Sequence, residues 1–241
     1  AGPDEAGLAS QRTASSDSAH LLQDIPGVSL YGAGGVSSLP AIHGLADDRV
    51  RVQVDGMDLV SACPNHMNSA LSYIDPTHVA SVKVFAGITP VSVGGDSIGG
   101  SIQVISAKPE FAKAGEGNMT KGDAGVFYRS NGNARGGNVS ATLATEELNM
   151  TYSGATAQSD NYTAAKDFKP VAPGREGGPL LPGDVVGSSS YKTRNQDIGF
   201  ALRHESHLLQ LNVGEQHVGF EGFPNQRMDM TANKSTQVNL H

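Results

Sequence analysis

Five side chains in this sequence could hold a transition-metal ion. Cys63, the one cysteine, stands four positions before Met67 in the run Ala62-Cys63-Pro64-Asn65-His66-Met67-Asn68, and Met228 and Met230 follow near the end. Thiolate and thioether sulfur are soft donors that select Cu(I) over calcium or magnesium. Pro64 suits a first helical position. The spacing therefore predicts a helix from Pro64 to about Tyr73 or Ile74, with Cys63 at its cap and Met67 one turn on, on the same face. The helix N-terminus and a bound metal would each favour the Cys63 thiolate. His66 falls three residues from Cys63 and could replace a sulfur, widening the site toward Cu(II) or Zn(II). The residues alone leave a second reading open, in which Cys63 is an inert small hydrophobe and Met67 packs inward.

Other chemistries find no support. There is no hydrolase triad, paired-carboxylate site or metalloprotease motif, and the glycines at 94–100 lack both the Lys-Ser/Thr of a phosphate loop and the dinucleotide G-x-G-x-x-G. A single cysteine allows no intrachain disulfide and does not fix the redox compartment. The net charge is -7 and the basic residues are scattered, which excludes a nucleic-acid footprint. No run approaches 18 apolar residues, so a helical membrane span is excluded, whereas a β-barrel would show only weak alternation over strands of about ten residues. The segment AGPDEAGLAS has neither part of a signal peptide, as would be true of a mature exported chain or a cytosolic one.

The elements that must position these residues differ along the chain. With 30 glycines and 5% aromatic residues in 241, a helical bundle is a poor fit and many short strands a better one. Residues 1–19 are polar and read as a flexible leader. From 20 to 110 the sequence predicts a small mixed α/β domain: a short helix in HLLQD, strands at VSLYG, RVRVQV, VKVF and SIQVI, and a turn at Asp55-Gly56. From 111 to 241 alternating segments dominate, near 123–130, 136–145 and 148–158, then in TRNQDIGFALRHE, SHLLQLNVGEQHVGF and MDMTANKSTQVNLH, around a long loop at 160–190. Leu209, Leu211 and Val213 alternate with polar Gln210 and Asn212, as in a wall between lipid and a wet lumen. Met228 and Met230 share a face of the last segment, away from Arg227 and Asp229. About six strands fit, whereas the smallest such barrel needs eight, so the sequence is expected to hold an incomplete barrel.

Residues 20–108 carry an ordered pattern. HLLQDIPGVSLYG, IHGLADDRVRVQVDGMDL and YIDPTHVASVKVFAGITPVSVGGDSIGGSIQVIS together resemble the plug of TonB-dependent outer-membrane receptors. His43 stands where that family commonly has arginine, and residues 1–20 show no TonB box. The resemblance implies a mixed α/β plug followed by antiparallel strands of a 22-stranded transmembrane β-barrel, in contact with outer-membrane lipid. It also implies nutrient import without catalysis, driven by the TonB complex of the periplasm. ACPNHMN at 62–68 and GFEGFPNQRMDMT at 219–231 resemble the copper-transporting branch, similar to receptors linked to nitrous oxide reductase maturation. In that branch a plug C-x-x-x-M binds copper with residues of the barrel. Carried over, this gives Cys63 and Met67 as copper ligands, with Met228 or Met230 as the barrel thioether and His66 as a competitor. A siderophore or cobalamin receptor, or a secreted β-rich binding or adhesive protein, are the alternatives.

Overall fold

The computed structural model describes residues 11–12, 14–63, 65–93, 97–173, 178–224, 226 and 228–241. The first part is built on two small sheets. Strands β1 (Val28–Gly32) and β2 (Ser38–Ile42) pair antiparallel. Strands β3 (Val50–Val54), β4 (Met57–Asp58), β5 (Val79–Ala86) and β6 (Gly100–Ser106) form a mixed sheet of order β4-β3-β6-β5, in which β3 and β6 run parallel. The predicted alternation holds: Val50, Val52 and Val54 are buried together with Val82, Val84, Ile102 and Val104. Asp55 and Gly56 both adopt positive φ, 48° and 82°, the geometry a two-residue hairpin turn requires.

Both predicted helices are corrected. HLLQD contributes only a 3₁₀ turn at Ser18–Leu22, capped by the Asp17 carboxylate on the Ala19 N–H. The span from Cys63 to Ile74 is not one helix, because His66 sits at φ +51°, in the left-handed region that a right-handed helix excludes. Helical turns resume only as a 3₁₀ segment at Ala70–Tyr73. The start predicted at Pro64 lies outside the described residues. Leu21, Leu22 and Leu71 from these short turns still close the core over the mixed sheet.

The second part is one six-stranded antiparallel sheet. It comprises β7 (Met119–Arg129), β8 (Ala134–Ala144), β9 (Leu148–Ser159), β12 (Tyr191–His204), β13 (His207–Glu221) and β14 (Asn233–Leu240). Their order is β14-β13-β12-β9-β8-β7. A two-residue hairpin, β10 (Ala172–Pro173) with β11 (Leu180–Leu181), lies within the 160–190 connection. The last strand begins at Asn233, so Met228 and Met230 precede it, contrary to the shared strand face expected. Met230 still makes a lone antiparallel bridge to Glu221 at the end of β13, and Met228 lies outside the pairing.

Register sorts the sheet's two faces. On one face, pairing aligns Leu148, Leu202 and Leu209; then Leu143, Met150, Phe200, Leu211 and Leu240; then Tyr152, Ile198, Val213 and Val238. All but Leu211 are exposed, forming a continuous apolar band. The other face presents amides and hydroxyls, including Asn149, Asn195, Gln216 and Asn239, all buried. It is buried because the first domain sits on it. Asn195 Nδ2 donates to Asp75 Oδ2 at 3.0 Å, Gln216 Nε2 to the Ser72 carbonyl at 2.6 Å, and Asn239 Nδ2 to the Asp55 carbonyl at 3.2 Å. Residues 14 and 16 join this interface, since the Arg129 guanidinium donates to the Ala14 carbonyl and to Ser16 Oγ. Side chains of both parts line a partly open cleft of about 380 Å³.

His78 makes the interface's ionic contact, its Nδ1 lying 2.9 Å from Asp197 Oδ2. Burial alone would lower the imidazole pKa, but the Asp197 hydrogen bond and the charges of Asp197 and Asp75 outweigh it, and the net shift is upward. A histidine whose folded pKa is raised contributes stability fully below its unfolded value, and that contribution disappears as pH rises through the folded value. We therefore expect the unfolding midpoint of the full-length protein to fall as pH rises from about 6.5 through the raised pKa of His78. The His78→Gln variant should lose that part of the pH dependence; an unchanged profile in the variant would contradict the assignment.

Candidate metal centre

Cys63 and Met67 lie in the loop between β4 and the Ala70–Tyr73 turn. In place of a helix, one hydroxyl gathers the segment. Ser61 Oγ accepts from the Cys63 N–H at 3.2 Å and donates to the Asn68 carbonyl at 2.7 Å. The backbones at Cys63 and beside Met67 are thus drawn to a single atom. A turn hydrogen bond from the His66 N–H to the Cys63 carbonyl, 2.9 Å, tightens the same stretch. Tyr73 closes it from outside, its hydroxyl oxygen accepting from the Ala62 N–H at 3.1 Å. Met67 is buried at 8% exposure, and Cys63 is half-buried with its sulfur free. His66 is turned toward Asp48, with Nε2 3.9 Å from Oδ1.

The wall-side methionines lie in the connection between β13 and β14. Met230 is fixed by two backbone bonds with Glu221, of 2.9 and 2.8 Å. Asp229 between the methionines is turned to Ser188 Oγ, at 3.2 Å, and to the Phe223 N–H, at 3.4 Å. Met228 is 55% exposed and Met230 half-buried.

A buried relay connects the two loops. Glu221, fully buried, accepts through Oε1 from the Val36 N–H at 3.1 Å and from Ser37 Oγ at 2.7 Å. The next residue, Ser38, offers its carbonyl to Ser69 Oγ at 2.7 Å, and Ser69 is two residues beyond Met67. The chain segment around Gly34 and Gly35 enters the wall with no room to spare. A Cβ at Gly34 would fall 2.3 Å from Glu221 Oε1, and one at Gly35 2.2 Å from the Tyr191 ring. Sequence reasoning missed Ser61, Ser69, Tyr73 and Glu221. Glu221 lies within the quoted segment 219–231, and an acid at the end of a strand that carries one other acid, Glu215, was the available signal.

Among the described residues no three His, Cys, Asp or Glu side chains converge on a common point. An ion here would be held by Cys63 together with thioether sulfur, the donor set that suits Cu(I).

Replacing Glu221 by Ala would leave the Val36 N–H and the Ser37 hydroxyl buried without an acceptor, a loss of roughly 1–3 kcal/mol. The expected result is a lower unfolding midpoint and faster proteolysis around 34–38 in the full-length protein. Glu221→Gln, which keeps an acceptor oxygen, should retain most of the stability. An unchanged midpoint in Glu221→Ala would show that the relay carries no energy.

Residues 8–101 match the sequence family described as TonB-dependent Receptor Plug Domain. A search of curated protein sequences finds no match. Among solved structures the chain is similar to "Copper transporter OprC", with 22% identity, a TM-score of 0.77, and coverage of 95% of this chain and 33% of that one. It is also similar to the FrpB iron transporter of Neisseria meningitidis in its apoprotein form, at 18% identity and TM-score 0.70, covering 97% and 34%. The ferric enterobactin receptor PfeA of Pseudomonas aeruginosa, bound to enterobactin, matches at 17% identity and TM-score 0.59, covering 87% and 32%. The chain spans about one third of the length of each of these structures. Residues 8–101 thus match the plug-domain family, and the chain shares the fold of the corresponding third of these transporter and receptor structures.

Proposed function

We propose that the chain is the plug and first six wall strands of a bacterial outer-membrane receptor that imports copper with energy from the TonB complex, and that it is not an enzyme. Cys63 and Met67 on the plug and Met230 on the wall hold the cargo as Cu(I). Met228 and His66 are the reserve ligands. The observation that carries this reading is the relay Met230–Glu221–Ser37–Ser38–Ser69, which binds the wall methionine loop to the plug loop containing Met67. Met230 ranks above Met228 because it is the one fixed to that relay. His66 ranks below both because Asp48 engages it.

Orientation supports an entry role. The connections 145–147 and 205–206 are short turns on one rim, whereas 160–190 and 222–232 are long loops on the other. In outer-membrane barrels the long loops face outside. Met228 and Met230 then lie on the outer rim, where an incoming ion meets the plug. Pulling on the plug through TonB would separate Met67 from Met230 and open the site toward the periplasm. Likeness to iron receptors favours one rival, ferric chelate import, in which Cys63 has no ligand role.

Cu(I), Cu(II) and Zn(II) affinities of the full-length receptor decide between them. Cys63→Ala and Met67→Ala should each weaken Cu(I) binding by roughly tenfold or more, with Met230→Ala weaker than Met228→Ala and His66→Ala nearly unchanged. Unaltered Cu(I) affinity in both Cys63→Ala and Met67→Ala, with tight binding of a ferric siderophore, would replace copper by a chelate as cargo.

A further inference from the structure

A second group of metal-binding side chains stands at the short-turn rim, away from Met228 and Met230. The β12–β13 hairpin turns in two residues, Glu205 and Ser206, with Glu205 in the left-handed region at φ +51°. That tight closure sets His204 and His207 directly opposite each other, one outward row beyond the pair Leu202 and Leu209. Directly opposed side chains leave the same face of the ribbon with their Cβ atoms about 5 Å apart. Two imidazoles at that separation can each turn a ring nitrogen toward one ion, and both are exposed. The neighbouring turn adds an acid. Thr145 Oγ1 accepts from the Glu147 and Leu148 N–H groups at 3.2 and 3.0 Å, and the Arg203 N–H donates to the Glu147 carbonyl at 2.7 Å. These bonds hold Glu147 beside the hairpin, its Oε1 3.8 Å from His204 Nδ1. The nearest cation is turned aside: the Arg203 guanidinium donates to the Glu146 carbonyl at 2.6 Å and lies 4.4 Å over the Phe111 ring. His207 has no side-chain partner among the described residues.

We propose that His204 and His207 form a two-imidazole chelate for a divalent transition-metal ion, Cu(II) in preference to Zn(II), with the Glu147 carboxylate beside it balancing the ion's charge. Imidazole nitrogen and carboxylate oxygen are harder donors than the sulfurs of the plug loop, and among the first-row divalent ions copper binds such donors most tightly. A tetragonal Cu(II) ion takes nitrogen and oxygen donors in its plane and fills its other positions with water, so a pair of histidines is enough to hold it. A structural zinc site takes a full tetrahedral set of protein donors, which this rim does not assemble. The site is therefore distinct from Cys63 and Met67 in place, donor type and oxidation state. Its location on the periplasmic side rests on the proposed outward facing of the long loops. The chelate itself does not depend on what the receptor carries.

The test is a Cu(II) titration of the full-length receptor in detergent followed by electron paramagnetic resonance, on a Cys63→Ala background that removes the plug thiol. The spectrum should show copper coupled to two nitrogens. Adding His204→Gln or His207→Gln should abolish that two-nitrogen signal, whereas Glu147→Gln should weaken Cu(II) binding and keep the coupling. All three side chains are exposed, so the variants are expected to fold as the parent does. With Cys63 restored, Cu(I) affinity in the His204→Gln/His207→Gln double variant should equal that of the parent. A Cu(II) spectrum that this double variant leaves unchanged overturns the rim site, and so does a parent spectrum without nitrogen coupling. Failure of the copper-cargo reading has a different signature: Cu(I) affinity is then unaltered by Cys63→Ala and Met67→Ala, while the two-nitrogen Cu(II) signal persists and still supports the chelate.

Discussion

Period-two alternation of the six-stranded sheet, interrupted by a register shift at Lys192–Thr193, is the constraint on which the other features depend. Because Leu, Phe and Tyr side chains occupy one face, the facing positions are free for Asn, Gln, Ser and Thr, and those groups must be hydrogen-bonded once covered. The plug supplies the partners. Asp75 and Ser72 meet Asn195 and Gln216 in one cross-strand row, and Asp55 meets Asn239 in a row four residues along. An interface built from such bonds has modest net energy per contact, since each replaces a bond to water. It can therefore be specific in register and still be dismantled in steps.

The two candidate loops use the same principle on a smaller scale. The proposed ligands stand on irregular backbone, held in place by Ser61, Tyr73, Asp229 and Glu221. This gives each loop its own support and joins the two through a single buried carboxylate. The coupling has a clear mechanical consequence: withdrawing the segment 34–38 from Glu221 disturbs both halves of the site together. The glycines at 34 and 35 permit that close seating, because any side chain there would collide with the wall.

Much of the fold was legible in the sequence. The valines of β3, the Asp55-Gly56 turn and five of the six alternating segments appear near where periodicity places them, since burial on one face leaves a direct period-two trace, whereas the sixth begins only at Asn233. The helix from Pro64 was misread because Pro at a first position and a C-x-x-x-M spacing are local signals, while the left-handed His66 and the Ser61 clip are set by tertiary contacts. Met228 falls outside the strand expected for it and Met230 only bridges Glu221, because spacing by two cannot distinguish a ladder residue from an extended loop. Glu221 was invisible as a link because its partners, Val36 and Ser37, are 185 and 184 residues away in sequence.

The central claim is that plug and wall sulfurs share one ion, and X-ray absorption at the copper edge of the Cu(I)-loaded full-length receptor tests it most directly. The account predicts a first shell dominated by sulfur, which loses one sulfur scatterer in Cys63→Ser and one in Met230→Leu. A shell of nitrogen and oxygen alone, or one left unchanged by Met230→Leu, would contradict a site shared between plug and wall.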